Sequence, residues 1–139
     1  MVMSTNAVET LRYTKIETTA DGGSAFVDGR IELSVREVAT GVIPQAVGEL
    51  ASGGALFVRS GEFDSAPHTA PARQWVVMLR GSVEVTVTSG EKRVFAPGDL
   101  LLAADVDGLG HRTATLGDPP FEALYIAAPE EASAPAVPE

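Results

Sequence analysis

Val83, Val85 and Val87 alternate with Glu84, Thr86 and Thr88. A period of two puts the valines on one face and the polar residues on the other, which predicts a half-buried strand. Ser89-Gly90 fits a tight hairpin turn, and the chain returns through Val94 and Phe95. The turn "APGD" and the apolar run "LLLAA" follow, and "FEALYIAA" (121–128) reads as a last strand.

The same reading extends toward the N-terminus. "LRYTKIE" predicts a first strand and "DGGS" (21–24) a turn. "AFVDGRIELSVREV" reads as two strands broken at Asp28-Gly29. "TGVIPQAVGELASGG" is loop-like, with "PQAVGEL" as a candidate helical turn, and "ALFVRSGEF" is a strand running into a loop. There is no internal repeat. Many short strands, frequent glycine turns and little helix predict an antiparallel all-β sandwich or barrel.

"WVVML" departs from simple alternation because both of its faces are apolar. Gln74, Val76 and Met78 can face a barrel interior. Trp75, Val77 and Leu79 then need cover, either from the N-terminal strands or from a second subunit, so a homodimer is expected from this pattern.

The 139 residues suffice for one domain, and 45% hydrophobic content supports a single core. Residues 1–9 are polar and read as a flexible N-terminus, 10–128 as the barrel, and the Pro/Ala/Glu-rich 129–139 as a disordered tail. A net charge of −9 makes nucleic acid and anionic membrane poor partners. The absence of cysteine removes disulfides, thiolate metal sites and a cysteine nucleophile. No leader pattern and no apolar stretch of spanning length is visible, so a cytoplasmic location is the default expectation.

Candidate chemistry centres on the two histidines, His68 and His111. Gly61 is followed by His68-Thr69-Ala70, then Gln74, then Gly81; further on come Pro97-Gly98-Asp99, His111 and Thr115. In spacing this resembles the cupin family, whose first motif runs Gly, His-x-His, Glu, Gly and whose second runs Pro-x-Gly, His, Asn. Here Ala70 and Gln74 stand where the family has a second histidine and a glutamate. The second motif is about two residues longer, lacks its inner proline and has Thr115 at the asparagine position. The resemblance implies a double-stranded β-helix, a jelly-roll barrel, over roughly residues 55–127 and by extension the whole ordered chain. It does not imply an activity, because this fold hosts oxygenases, isomerases, cyclases and binding proteins.

On that reading His68 and His111 converge at the barrel mouth. A metal site would comprise His68, Gln74 and His111, holding a single divalent transition metal (Zn, Fe, Ni or Mn). Alanine supplies no donor, and glutamine supplies an amide oxygen without charge. The alternatives are histidines that satisfy only structural hydrogen bonds, or histidines working without metal as general acids, bases or donors. Gln74 is expected to face inward and bond a ligand or a histidine. Asp105 and Asp107 in "DVDGLGH" read either as turn stabilisers or as partners that orient His111. An EF-hand would need a glutamate where Leu116 stands. No G-x-S-x-G elbow is present.

Phe57, Val76, Met78 and Tyr125 are the expected apolar lining of a pocket suited to a small apolar metabolite. The leading expectation is a cupin-type enzyme of isomerisation, cyclisation or dehydration, with His68, Gln74, His111 and Asp105 as catalytic residues and no cofactor. The rivals are a metal-dependent dioxygenase or other metalloenzyme, and a non-catalytic ligand-binding or sensor barrel.

Overall fold

The computed structural model describes residues 9–130. The segments expected to be loose, 1–9 and 129–139, therefore lie outside the described residues except at their inner borders.

Ten strands form the fold: β1 (Glu9–Thr18), β2 (Ser24–Arg36), β3 (Gln45–Val47), β4 (Ala55–Ser60), β5 (Gln74–Arg80), β6 (Ser82–Thr86), β7 (Lys92–Phe95), β8 (Leu100–Ala103), β9 (Arg112–Leu116) and β10 (Phe121–Ala127). One sheet has seven strands in the order β3-β2-β1-β8-β5-β10-β4, and the other has three in the order β7-β6-β9. Together they make an all-β barrel of two facing sheets, one mixed and one antiparallel. The expectation of a purely antiparallel barrel needs one correction. β1 pairs parallel with β8, Thr14 opposite Leu101, while β1 is antiparallel to β2. Among the described residues no helix is long and apolar enough to cross a membrane.

The alternating valines behave as their spacing predicts. Val83, Val85 and Val87 are buried and pack with Val76, Met78, Leu101, Phe121 and Ala123 from the facing sheet. Each such side chain removed from water contributes roughly 1.5–3 kcal/mol before conformational entropy is set against it.

Two local expectations differ from the structure. Asp28-Gly29 does not break a strand, because β2 runs through it. Gly29 lies opposite Tyr13, and a Cβ at Gly29 would run into the Tyr13 ring, so the glycine makes room for an aromatic side chain instead of turning the chain. "PQAVGEL" forms no helical turn. Gln45–Val47 instead pair with the end of β2, and Gly48 closes over Leu33 and Ile31. The sequence reading also passed over β9, a short polar strand that pairs with β6.

The second apolar face of β5 is covered by the chain itself. Trp75 packs with Leu100, Leu102 and Ala128, flanked by Tyr13, Ile31 and Leu50. Tyr13 meets the indole edge-on at 5.0 Å, and the Trp75 Nε1–H donates to the Ala51 carbonyl at 3.4 Å. Of the two covers expected for this face, the N-terminal strands supply this one, helped by the segment around Leu50. Leu79, at the far end of the same face, stays exposed.

Candidate active site

His68 lies in the segment before β5, and His111 immediately precedes β9. They meet as an isolated antiparallel bridge. Each backbone N–H donates to the other's carbonyl at 2.9 Å. Gly110 permits this approach. Its φ is +76°, and a Cβ there would collide with the His68 carbonyl and the Thr69 nitrogen. The two imidazoles stand 4.8 Å apart, centroid to centroid, at 53°.

The Asp105 carboxylate is wholly buried, and its Oδ2 accepts a hydrogen bond from His111 Nδ1 at 2.6 Å. An ionised carboxylate can only accept, so Nδ1 carries a proton toward Asp105 and Nε2 is the ring nitrogen that Asp105 does not engage. The Asp105 Oδ1 is buried with no protein partner. A buried acceptor left without any partner costs about 1–3 kcal/mol. The Asp105 carbonyl also accepts from the Ala70 N–H at 3.1 Å, tying the segment after His68 to the one before His111. Asp107 has no comparable place. It is exposed, and its carbonyl takes the Thr18 hydroxyl at 3.0 Å.

His68 is exposed at the rim. Its Nδ1 donates to the Ala66 carbonyl at 3.0 Å, with the Ser65 hydroxyl 3.4 Å away. Both histidines thus have Nδ1 engaged by an acceptor, which leaves Nε2 of each ring as its unengaged nitrogen.

Both histidines line a cavity of about 360 Å³ inside the barrel, within the size range of small-molecule sites. Val76, Met78, Val83, Val85, Leu101 and Phe121 form its apolar walls. Gln74, Ser65, Thr113 and Tyr125 add polar groups. Burial pushes the Tyr125 phenol above its usual pKa, so it is a neutral donor at neutral pH. Gln74 lines the cavity and is half-buried.

Val76, Met78 and Tyr125 therefore stand where the sequence reading placed them, and Phe57 does not. Phe57 is 52% exposed and lies opposite Leu124 on the outer face, with the Arg59 guanidinium over its ring. Alternation along β4 turns its neighbour Val58 toward the core instead. Phe63 and Phe121 line the cavity as well, and sequence reasoning missed Ser65 and Thr113. Thr113 was within reach of it, since it follows His111 by two along an extended segment and so shares its face.

The donor set does not fit a tight transition-metal centre. It offers two imidazoles and one amide, Ala70 contributes nothing, and the Asp105 carboxylate is turned onto the far nitrogen of His111. Among the described residues, no group of three or more His, Cys, Asp or Glu side chains is placed to hold a metal ion. What the arrangement does suit is proton movement. His111 has its Nδ1 held by a buried carboxylate and a second imidazole opposite.

No family model matches the chain, and no curated protein matches it. A solved structure from Salmonella typhimurium LT2, described as an ethanolamine utilization protein Q, is similar to it. The two share 14% identity over 87% of this chain and 98% of that one, with a TM-score of 0.44.

Proposed function

We propose that the protein binds a small apolar metabolite in the barrel and catalyses a non-oxidative proton relocation on it, an isomerisation, cyclisation or dehydration. The buried Asp105 carboxylate on His111 Nδ1 is the observation that carries this reading. His111 Nε2 takes a proton from the substrate. Asp105 keeps the ring in that tautomer and sets a negative charge against the imidazolium that forms. His68, whose ring centroid lies 4.8 Å from that of His111, supplies or receives the second proton, and Gln74, Thr113 and Tyr125 orient the substrate's polar group. The apolar walls exclude water and hold the carbon skeleton.

The test combines ligand screening with metal analysis. Apolar metabolites are first ranked by thermal stabilisation, and the best are then assayed for turnover by the purified protein and by His111→Ala and His68→Ala. Turnover lost in His111→Ala and kept after chelation supports the proposal. About one Fe, Ni, Mn or Zn per chain, with activity abolished by a chelator, would replace it with a metalloenzyme at His68, Gln74 and His111. Stabilisation without turnover, unchanged in His111→Ala, would replace it with a non-catalytic binding barrel.

A further inference from the structure

A second, larger recess opens elsewhere on the barrel. It measures about 510 Å³ and lies between β1, β2, β7 and the start of β8. It shares no lining residue with the histidine cavity. Three of the chain's ten basic residues line it, namely Arg12, Arg30 and Arg93.

The hairpin register creates this cluster. Arg12 lies directly opposite Arg30, and Thr14 directly opposite Asp28, so alternation puts all four on one face. Arg93 reaches in from β7. Its guanidinium bonds Asp28 at 2.7 Å and sits 4.9 Å from the Phe26 ring centroid. Asp28 is thereby committed to Arg93. Asp99, the other carboxylate in the recess, accepts the Ala96 N–H at 2.8 Å within its own turn. Among the described residues, Arg12 and Arg30 form no ion pair. Two like charges directly opposite on a two-stranded ribbon are destabilising unless something is held between them. This occurs in a chain of net charge −9 that has acidic residues to spare.

We infer that this recess binds a small multiply charged oxyanion, a phosphoryl or a di- or tricarboxylate group, between the guanidiniums of Arg12 and Arg30, with Arg93 fixed beside them by Asp28. Guanidinium forks match paired oxyanion oxygens in geometry and charge. The negative net charge of the chain repels an approaching anion only at long range and is screened within about 8–10 Å at ordinary salt.

Isothermal titration calorimetry with pyrophosphate and, separately, with citrate tests this at low ionic strength. The proteins compared are the unaltered chain, the double variant Arg12→Gln/Arg30→Gln, and Arg80→Gln as a control outside the recess. Saturable binding of at least one anion, about tenfold weaker or worse in the double variant and unchanged in Arg80→Gln, supports the inference. Which anion binds more tightly assigns phosphoryl or carboxylate. Absence of saturable binding by both, or equal binding by the double variant, overturns it. A ligand-free measurement checks the same point. Arg12→Gln should raise the melting temperature at low salt, with the gain shrinking at high salt. A lowered melting temperature would show that Arg12 already has a protein partner, and the inference would fail.

Discussion

His68 and His111 exchange both backbone hydrogen bonds, at 2.9 Å in each direction, so their side chains leave one face of a single bridge. The main chain therefore sets where the two side chains start, and the rotamers adopted there bring the rings to 4.8 Å. Two loops far apart in sequence act as one rung of a ladder.

Gly110 should be the most sensitive position in that rung. Gly110→Ala places a methyl against the His68 carbonyl and strains a backbone held at φ +76°. We expect a loss of roughly 1–3 kcal/mol from overpacking alone, measured by urea denaturation. Nuclear Overhauser contacts between the two imidazoles should weaken in the same variant. Retained contacts at full stability would show that the bridge is looser than described.

Asp105 should matter to both stability and tautomer. Asp105→Ala leaves His111 Nδ1–H without its acceptor and should lower stability by about 1–3 kcal/mol. In the unaltered protein, long-range proton–nitrogen correlation spectra should show the His111 proton on Nδ1. In Asp105→Ala that preference should weaken. A His111 proton found on Nε2 before any substitution would contradict the role given to Asp105.

Gly29→Ala tests the packing around Trp75. The new methyl meets the Tyr13 ring, which lies 5.0 Å from the indole. Displacing that ring should cost about 1–3 kcal/mol and change the fluorescence of Trp75, the chain's single tryptophan. A silent spectrum with normal stability would mean that the aromatic pair can shift without loss.

Tyr125 gives a pH signature. Burial raises its pKa above 10.0 in the folded chain. Below the unfolded value the phenol is neutral in both states, and its contribution is intact. As pH rises from there through the folded value, the unfolded chain ionises first and stability falls. Ultraviolet titration should show one of the two tyrosines ionising late, and Tyr125→Phe should remove that transition while flattening the alkaline loss of stability.

Periodicity found the interior of the barrel because it reports directly on burial. Val83, Val85 and Val87 needed nothing beyond their own alternation. Phe57 shows the limit of that method, since size and apolarity suggested a lining residue, whereas strand phase put Val58 inside and Phe57 out. Asp28-Gly29 was misread for a related reason. The dipeptide carries a turn signal, yet the space demanded by Tyr13 explains the glycine, and Tyr13 arrives from another strand. The histidines and Asp105 were legible as candidates from the motif spacing, but nothing local distinguished Asp105 from Asp107. Only the fold places one carboxylate 2.6 Å from an imidazole and leaves the other in solvent. The opposition of Arg12 and Arg30 was equally hidden, because hairpin register alone creates it.

The turn between β1 and β2 is fastened to the loop that carries His111. The Ser24 hydroxyl donates to the Gly110 carbonyl at 2.7 Å, and the Leu109 N–H donates to the Gly22 carbonyl at 2.9 Å. The Ser24 N–H in turn donates to the Thr88 hydroxyl at 2.9 Å, reaching the β6–β7 hairpin. Shortening the chain from its N-terminus, or grafting a fusion partner into that turn, would therefore slacken the seat of His111 without touching an imidazole. Expression designs for this protein should leave the 19–24 turn whole and place any insertion at the Ser89-Gly90 tip instead.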